Sequence, residues 1–259
     1  VSRALSKRQI HATMPESFTL AFACHAQRSG GGLHGRCSVA MEQAVRIWDL
    51  PTRVFHWALA ALVVMSVVTA NIGGNAMVWH MRSGLAVLSL LLFRLVWGLV
   101  GGHWSRFRSF LVSPSTVWQY ARGRIADPAG HSPLGALSVL GMLIALALQA
   151  SAGLFSYDEI AFSGPFTALV SSQRVEQASW FHTEVGKWIV IGLVLLHVLA
   201  IAYYTVVRRK VLVPPMVVGD KWMDGAVPAS RDDGRSRLRA LALWAVCASV
   251  VATGVKWFG

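Results

Sequence analysis

Five stretches of mostly apolar residues punctuate the chain, near Phe55 to Gly73, Trp79 to Val100, Pro133 to Phe155, Trp180 to Val206 and Leu238 to Phe258. A helix rises about 1.5 Å per residue, so roughly 20 apolar residues span the hydrocarbon of a bilayer. The pattern predicts an all-α integral membrane fold, a four-helix transmembrane bundle followed by a fifth, C-terminal transmembrane helix. Such spans take up close to half the chain and leave no room for a large soluble domain. Before them, residues 1–40 are basic and rich in Gly and Ser, with no sustained period. Their one apolar run, Phe18 to Cys24, is too short for a span or a signal peptide. The organisation expected is therefore a disordered extension over 1–40, with Met41 as a sensible true start. A transmembrane domain over 41–215, a cytoplasmic linker over 216–237 and a last helix over 238–259 complete it.

Composition agrees: 54% of residues are hydrophobic, 14% are charged, and the mean hydropathy is +0.51. A net charge of +12 would suggest nucleic-acid binding in a soluble protein, but its placement argues against that reading. Arg46 and Arg53 precede the first span, Arg106, Arg108, Arg122 and Arg124 follow the second, and Arg208, Arg209, Lys210 and Lys221 follow the fourth. The loop from Asn71 to Val78 carries no charge, and that from Ser156 to Ser179 sets Asp158, Glu159 and Glu176 against Arg174. The positive-inside rule then places the N-terminus in the cytoplasm and the C-terminus outside. The cysteines Cys24, Cys37 and Cys247 imply no disulfide framework, and Cys24, His25, His34 and Cys37 lack the spacing of a zinc knuckle.

Of nine histidines, four fall in or at the edges of spans: His56, His80, His182 and His197. An ionisable side chain in a membrane is costly and is read as functional, although one lone histidine could simply bond a neighbouring helix. His182 and His197 lie on one span, about 60° apart around the helix and roughly 22 Å apart along it. With the deduced topology, His56 shares the inner level with His197, and His80 shares the outer level with His182. Two bis-histidine sites stacked across the membrane follow, as two low-spin haem irons require. No Cys-x-x-Cys-His run is present, so the haem is expected to be of b type.

A porphyrin needs room beside its ligand. Gly84 follows His80 by four residues, Gly186 follows His182, and Ala60 follows His56, while Ile201 follows His197. Arg94, about 40° around the helix from His80 and one level lower, is expected on the propionates of the inner haem, with snorkelling to headgroups as the competing reading. His131, in Gly130-His131-Ser132-Pro133, is the main rival ligand but reads better as loop, with Ser132 capping a helix that opens on Pro133.

These residues resemble the bacterial cytochrome b561 and nickel-iron hydrogenase cytochrome b subunit family. The resemblance rests on Arg46 through Trp57, on Phe93-Arg94-Leu95-Val96-Trp97-Gly98 leading to Ser105-Arg106-Phe107, and on Gly130-His131-Ser132-Pro133-Leu134-Gly135. Asp158-Glu159-Ile160 with Gly164-Pro165, and His182 with His197, complete it. It implies four haem-bearing helices often followed by an extra one, two b haems, and ligands at His56, His80, His182 and His197. It also implies electron exchange between a quinone pool, with quinone as a candidate substrate, and an outer-face redox partner such as a cytochrome c or a hydrogenase. A membrane anchor that docks a soluble redox protein and a histidine-based proton or ion transporter are the competing functions. The second would need more polar residues in the spans than Gln149, Glu184 and Lys187.

Overall fold

The computed structural model describes residues 19–25, 28–29, 32–33, 36–158 and 160–258, with side chains from residue 42 onward. Three helices open on one device, a short oxygen-bearing side chain followed within two residues by proline. Asp49 caps α1 (Leu50–Ile72), accepting from the Thr52 amide at 2.9 Å. Ser113 caps the short α3 (Pro114–Ala121), which lies beyond α2 (Met77–Val100). Ser132 caps α4 (Pro133–Leu154), accepting from Gly135 at 3.1 Å as the sequence predicts. α1 stops at Gly73, whose φ of 69° is open to a residue without Cβ.

The fourth span is longer than its apolar stretch. α5 (Ser172–Trp180) runs through a π turn at Phe181–Gly186 into α6 (Lys187–Val206), a continuous segment of 35 residues. Hydropathy places its start near Trp180 because α5 carries Gln173, Arg174, Glu176 and Gln177. A helix does not end where the hydrocarbon does, since its backbone bonds are internal. α7 (Val213–Val218) straddles the start of the segment expected to be linker, 216–237, and α8 (Gly234–Phe258) begins four residues before the predicted span.

α2 is the axis of the bundle: half of its apolar window is buried, against 6–17% for the other four spans. α1, α4 and α8 pack on α2, and α6 packs on α4. The core that results joins Phe55, Leu90, Phe93, Trp97, Ala240 and Cys247, with Val87, Leu91, Leu146 and Val190 as a second cluster. Where α1 meets α2, Ser66 and Ser83 bond through their hydroxyls at 2.6 Å, small polar residues of the kind that let membrane helices approach. Leu99, Leu195, Leu196, Val198 and Leu199 remain exposed on the outside of the bundle, a surface that only lipid solvates cheaply.

At the end where α1 begins, the bundle is held by two carboxylates. Asp49, fully buried, accepts from Thr52, Trp97 Nε1 at 3.2 Å, the Gly102 amide at 3.1 Å and Ser105 Oγ at 2.8 Å. It thereby ties the start of α1 to the end of α2. Asp232, in the segment before α8, accepts from the Leu50 amide at 3.1 Å and pairs with Arg46 at 2.5 Å and Arg237 at 3.0 Å. These partners hold its carboxyl below the usual range, although burial opposes them. Ser230 Oγ donates to Ile47 O at 2.7 Å beside it.

A separate unit comprises residues 1–45 and 221–227. Its described residues form a sheet of order β1-β4-β5, with β1 (Thr19–His25) antiparallel to β4 (Arg36–Arg46), and β5 (Asp220–Asp224) at the other edge. Between β1 and β4, β2 (Arg28–Ser29) pairs with β3 (Gly32–Leu33). These strands lie within the segment read from its sequence as an extension without regular structure. A run such as Phe18 to Cys24 is too short to cross a bilayer but long enough for a strand, which needs only about five residues. Cys24 stands opposite Cys37 in the register, and His34 lies outside the described residues.

Replacing Asp49 by Ala removes the α1 cap and strands three further buried donors, a loss on the order of 3 kcal/mol. The expected outcome is a fall of several degrees in the melting temperature of the detergent-solubilised protein, whereas Arg231→Ala, at an exposed ion pair with Asp233, leaves it within about a degree.

Candidate haem sites: two facing histidine pairs

The helix periods bring the four histidines together in two pairs. His56 on α1 faces His197 on α6 with ring centroids 6.4 Å apart, at the level where the bundle is tied by Asp49. His80 on α2 faces His182 in the π turn at 5.9 Å, at the far level. Two imidazoles bound to one metal ion at about 2.0 Å each put their ring centres about 6 Å apart, allowing about 1.1 Å from nitrogen to centre. Both pairs have that separation. α6 packs on α4 but makes no extensive packing with α1 or α2, so the helices bearing opposite partners stand apart.

Among the described residues no group of three or more His, Cys, Asp or Glu side chains could hold a metal ion. A site that offers two imidazoles and nothing else suits a metal whose remaining positions are filled by a macrocycle. At the far level both rings are oriented from behind. His80 Nδ1 lies 2.9 Å from Ser66 O, and His182 Nδ1 lies 2.9 Å from Gln149 O. A proton on Nδ1 donated to each carbonyl leaves Nε2 free as the ligand atom, which is how metal-binding histidines are usually held. At the other level His56 Nδ1 is buried without a hydrogen-bond partner.

The two glycines expected to make room for porphyrin differ. A Cβ on Gly84 would meet nothing within 4 Å, so the face of α2 beside His80 is open. A Cβ on Gly186 would lie 2.0 Å from Gln149 Oε1 and 2.9 Å from the Phe181 ring. That space is taken by protein, so Gly186 admits a glutamine side chain. Gly153, which the sequence reading did not single out, is the glycine against His182: a Cβ there would come within 2.9 Å of His182 Cε1.

Arg94 is 3% exposed, donates from Nη1 to Ser105 O at 3.0 Å and lies over the Phe107 ring at 4.9 Å. It thus anchors the loop that follows α2, a contact neither expected reading included. Arg82 stacks on Trp79 at 5.1 Å. His131 sits between Trp48 and Phe110, at 4.6 and 4.7 Å between ring centres, with Nδ1 buried and unpartnered. Burial first, then the positive charge of Arg94 and the proximity of His56, push its pKa down to about 3. Sequence reasoning passed over Asp49, although an Asp directly before Leu-Pro-Thr is a legible helix cap.

An apolar helical bundle with two facing pairs of histidines has the arrangement of a membrane cytochrome of b type. The family model for prokaryotic cytochrome b561 matches residues 47–219, two thirds of the chain, and the chain belongs to that family. α8 and the sheet of residues 19–46 lie outside the match. Curated relatives described as "Probable Ni/Fe-hydrogenase B-type cytochrome subunit" agree with it. The protein of Azotobacter chroococcum mcd 1 is 28% identical over 224 residues, covering 71% of this chain and 91% of that protein. That of Cupriavidus necator is 26% identical over 215 residues, covering 68% and 86%. The protein is therefore a multi-pass membrane protein that transfers electrons as a b-type cytochrome.

His131 gives a measurable pH response. Its folded pKa lies below the ordinary 6.5, so as pH falls below 6.5 the unfolded chain takes up a proton that the folded one refuses. Stability should drop by up to about 1.4 kcal/mol per pH unit from this residue, and His131→Phe should flatten the fall in melting temperature between pH 7 and pH 5.

Proposed function

We propose that the chain holds two b haems, one between His56 and His197 and one between His80 and His182, and carries electrons across the bilayer between a quinone pool and a nickel-iron hydrogenase. The observation that carries this reading is the pair of facing imidazole sets at two depths, with one member of each on the same continuous helical segment. Haem b, when bound, supplies an iron that accepts and returns one electron. The chain's own part is to hold four imidazoles at two levels. Fifteen residues of helix separate the levels by roughly 22 Å, so together they span most of the hydrocarbon.

Topology follows from charge. The basic residues flanking α1 and following α2 and α6 put the end bearing Asp49 and His56 at the cytoplasmic face. The N-terminus is then cytoplasmic, α8 ends outside, and the His80–His182 level is the outer one. Hydrogenase is preferred over a cytochrome c as partner because the relatives carry that description. A quinone is assigned to the inner level, where the loop held by Arg94 and the unpartnered Nδ1 of His131 lie.

Haem counting of the purified protein should give about two b haems per chain. His56→Ala and His197→Ala should each remove one and leave the other, and His80→Ala and His182→Ala should do the converse. A single haem in the wild type, or four variants that all keep two, would sink the assignment.

A further inference from the structure

His182 lies inside the π turn, where hydrogen bonds reach one residue further than in an α-helix and the register of side chains shifts locally. Across from it, Gln149 on α4 makes two contacts with this one residue. Its backbone carbonyl lies 2.9 Å from His182 Nδ1, and its side-chain Nε2 donates to the His182 carbonyl at 2.9 Å. The second bond sets the amide orientation, since a carbonyl can only accept. It also leaves Gln149 Oε1 buried with no donor, against the backbone of Gly186. A leucine would fill this space between two apolar helices without burying an orphan oxygen. What glutamine adds there over leucine is its NH2 group, bonded to the His182 carbonyl.

We propose that Gln149 is a positioning residue that stabilises the π turn and thereby sets the plane and tautomer of the His182 imidazole, with Gly186 present to admit the Gln149 side chain. The inference rests on the reading of His80 and His182 as the outer ligand pair. The carbonyl of residue 149 receives the Nδ1 proton, so Nε2 points at His80. The amide clamps the same histidine's backbone, so ring and main chain are held together by one residue of the neighbouring helix. Gly153 completes the arrangement by letting the ring lie against α4. The rings of His80 and His182 stand 77° apart, and the angle between axial imidazole planes governs the g-values of a low-spin ferric haem.

The test uses the full-length, haem-loaded protein and low-temperature EPR with redox titration. His182→Ala and His197→Ala first identify the outer and inner signals by their loss. Gln149→Leu and Gln149→Met, the second of similar length but without a donor, should shift the g-values and midpoint potential of the outer haem alone. Each should also weaken its retention by about tenfold, as loss of an outer-shell partner does. Gly186→Ala should reproduce the shift, and adding Gln149→Leu to it should change nothing further, because the methyl has already displaced the amide. An outer signal unchanged in Gln149→Met and in Gly186→Ala would overturn the proposal, as would a shift confined to the inner haem. If His182→Ala keeps both signals, the ligand reading itself has failed. If it loses one while the Gln149 and Gly186 variants stay silent, only the positioning role has.

Discussion

Water is absent from the middle of a bilayer, so every backbone polar group there must be bonded within its own helix, and long uninterrupted helices are the result. This constraint turns sequence distance into depth. Because the segment from Ser172 to Val206 does not break, 15 residues between two histidines become a fixed axial separation, and a partner on α1 or α2 need only stand at the right height. α2, the most buried helix, supplies the frame: α1, α4 and α8 pack on it, and α6 reaches the bundle through α4. Both histidine pairs span this indirect side of the bundle, where the helices bearing the partners are not pressed together.

The two ends of the molecule are stabilised differently. At the basic end, Asp49 gathers four donors from α1, the end of α2 and the loop beyond, while Asp232 gathers Arg46, Arg237 and the first amide of α1. Buried charge is tolerated because nearly every lone pair is used, the condition under which such groups hold a structure in one arrangement. At the far end the loops are short of charge, and the order comes from backbone carbonyls acting on imidazoles. The far pair is thus held by hydrogen bonds from behind, through Ser66 and Gln149, while His56 Nδ1 has none. Two histidine pairs of the same chemistry therefore sit in unlike surroundings.

Much of this was legible in residue order. Apolar runs reveal spans because the bilayer imposes one length, Ser132-Pro133 reveals a helix start because its chemistry is local, and histidines at matching depths reveal pairs because helical rise is constant. Other features were hidden for equally physical reasons. α5 is polar and escapes a hydropathy scan, and the apolar run of β1 is far shorter than a membrane's thickness. Gly186 follows His182 by four residues and so looked like room for porphyrin, but only the approach of α4 shows that Gln149 occupies that room.

The chain's own order therefore determined the five apolar spans, the Ser132 cap, the axial spacing of the histidines and the likeness to the b561 cytochromes. Each of these depends on neighbours in sequence or on the fixed geometry of a helix in hydrocarbon. Which helix lies against which, that Arg94 turns to the Ser105 carbonyl, that Asp49 joins the two ends of α1 and α2, and that a π turn meets Gln149 were decided by tertiary structure alone. The last three are contacts between residues 11 to 56 positions apart, and no local period encodes them.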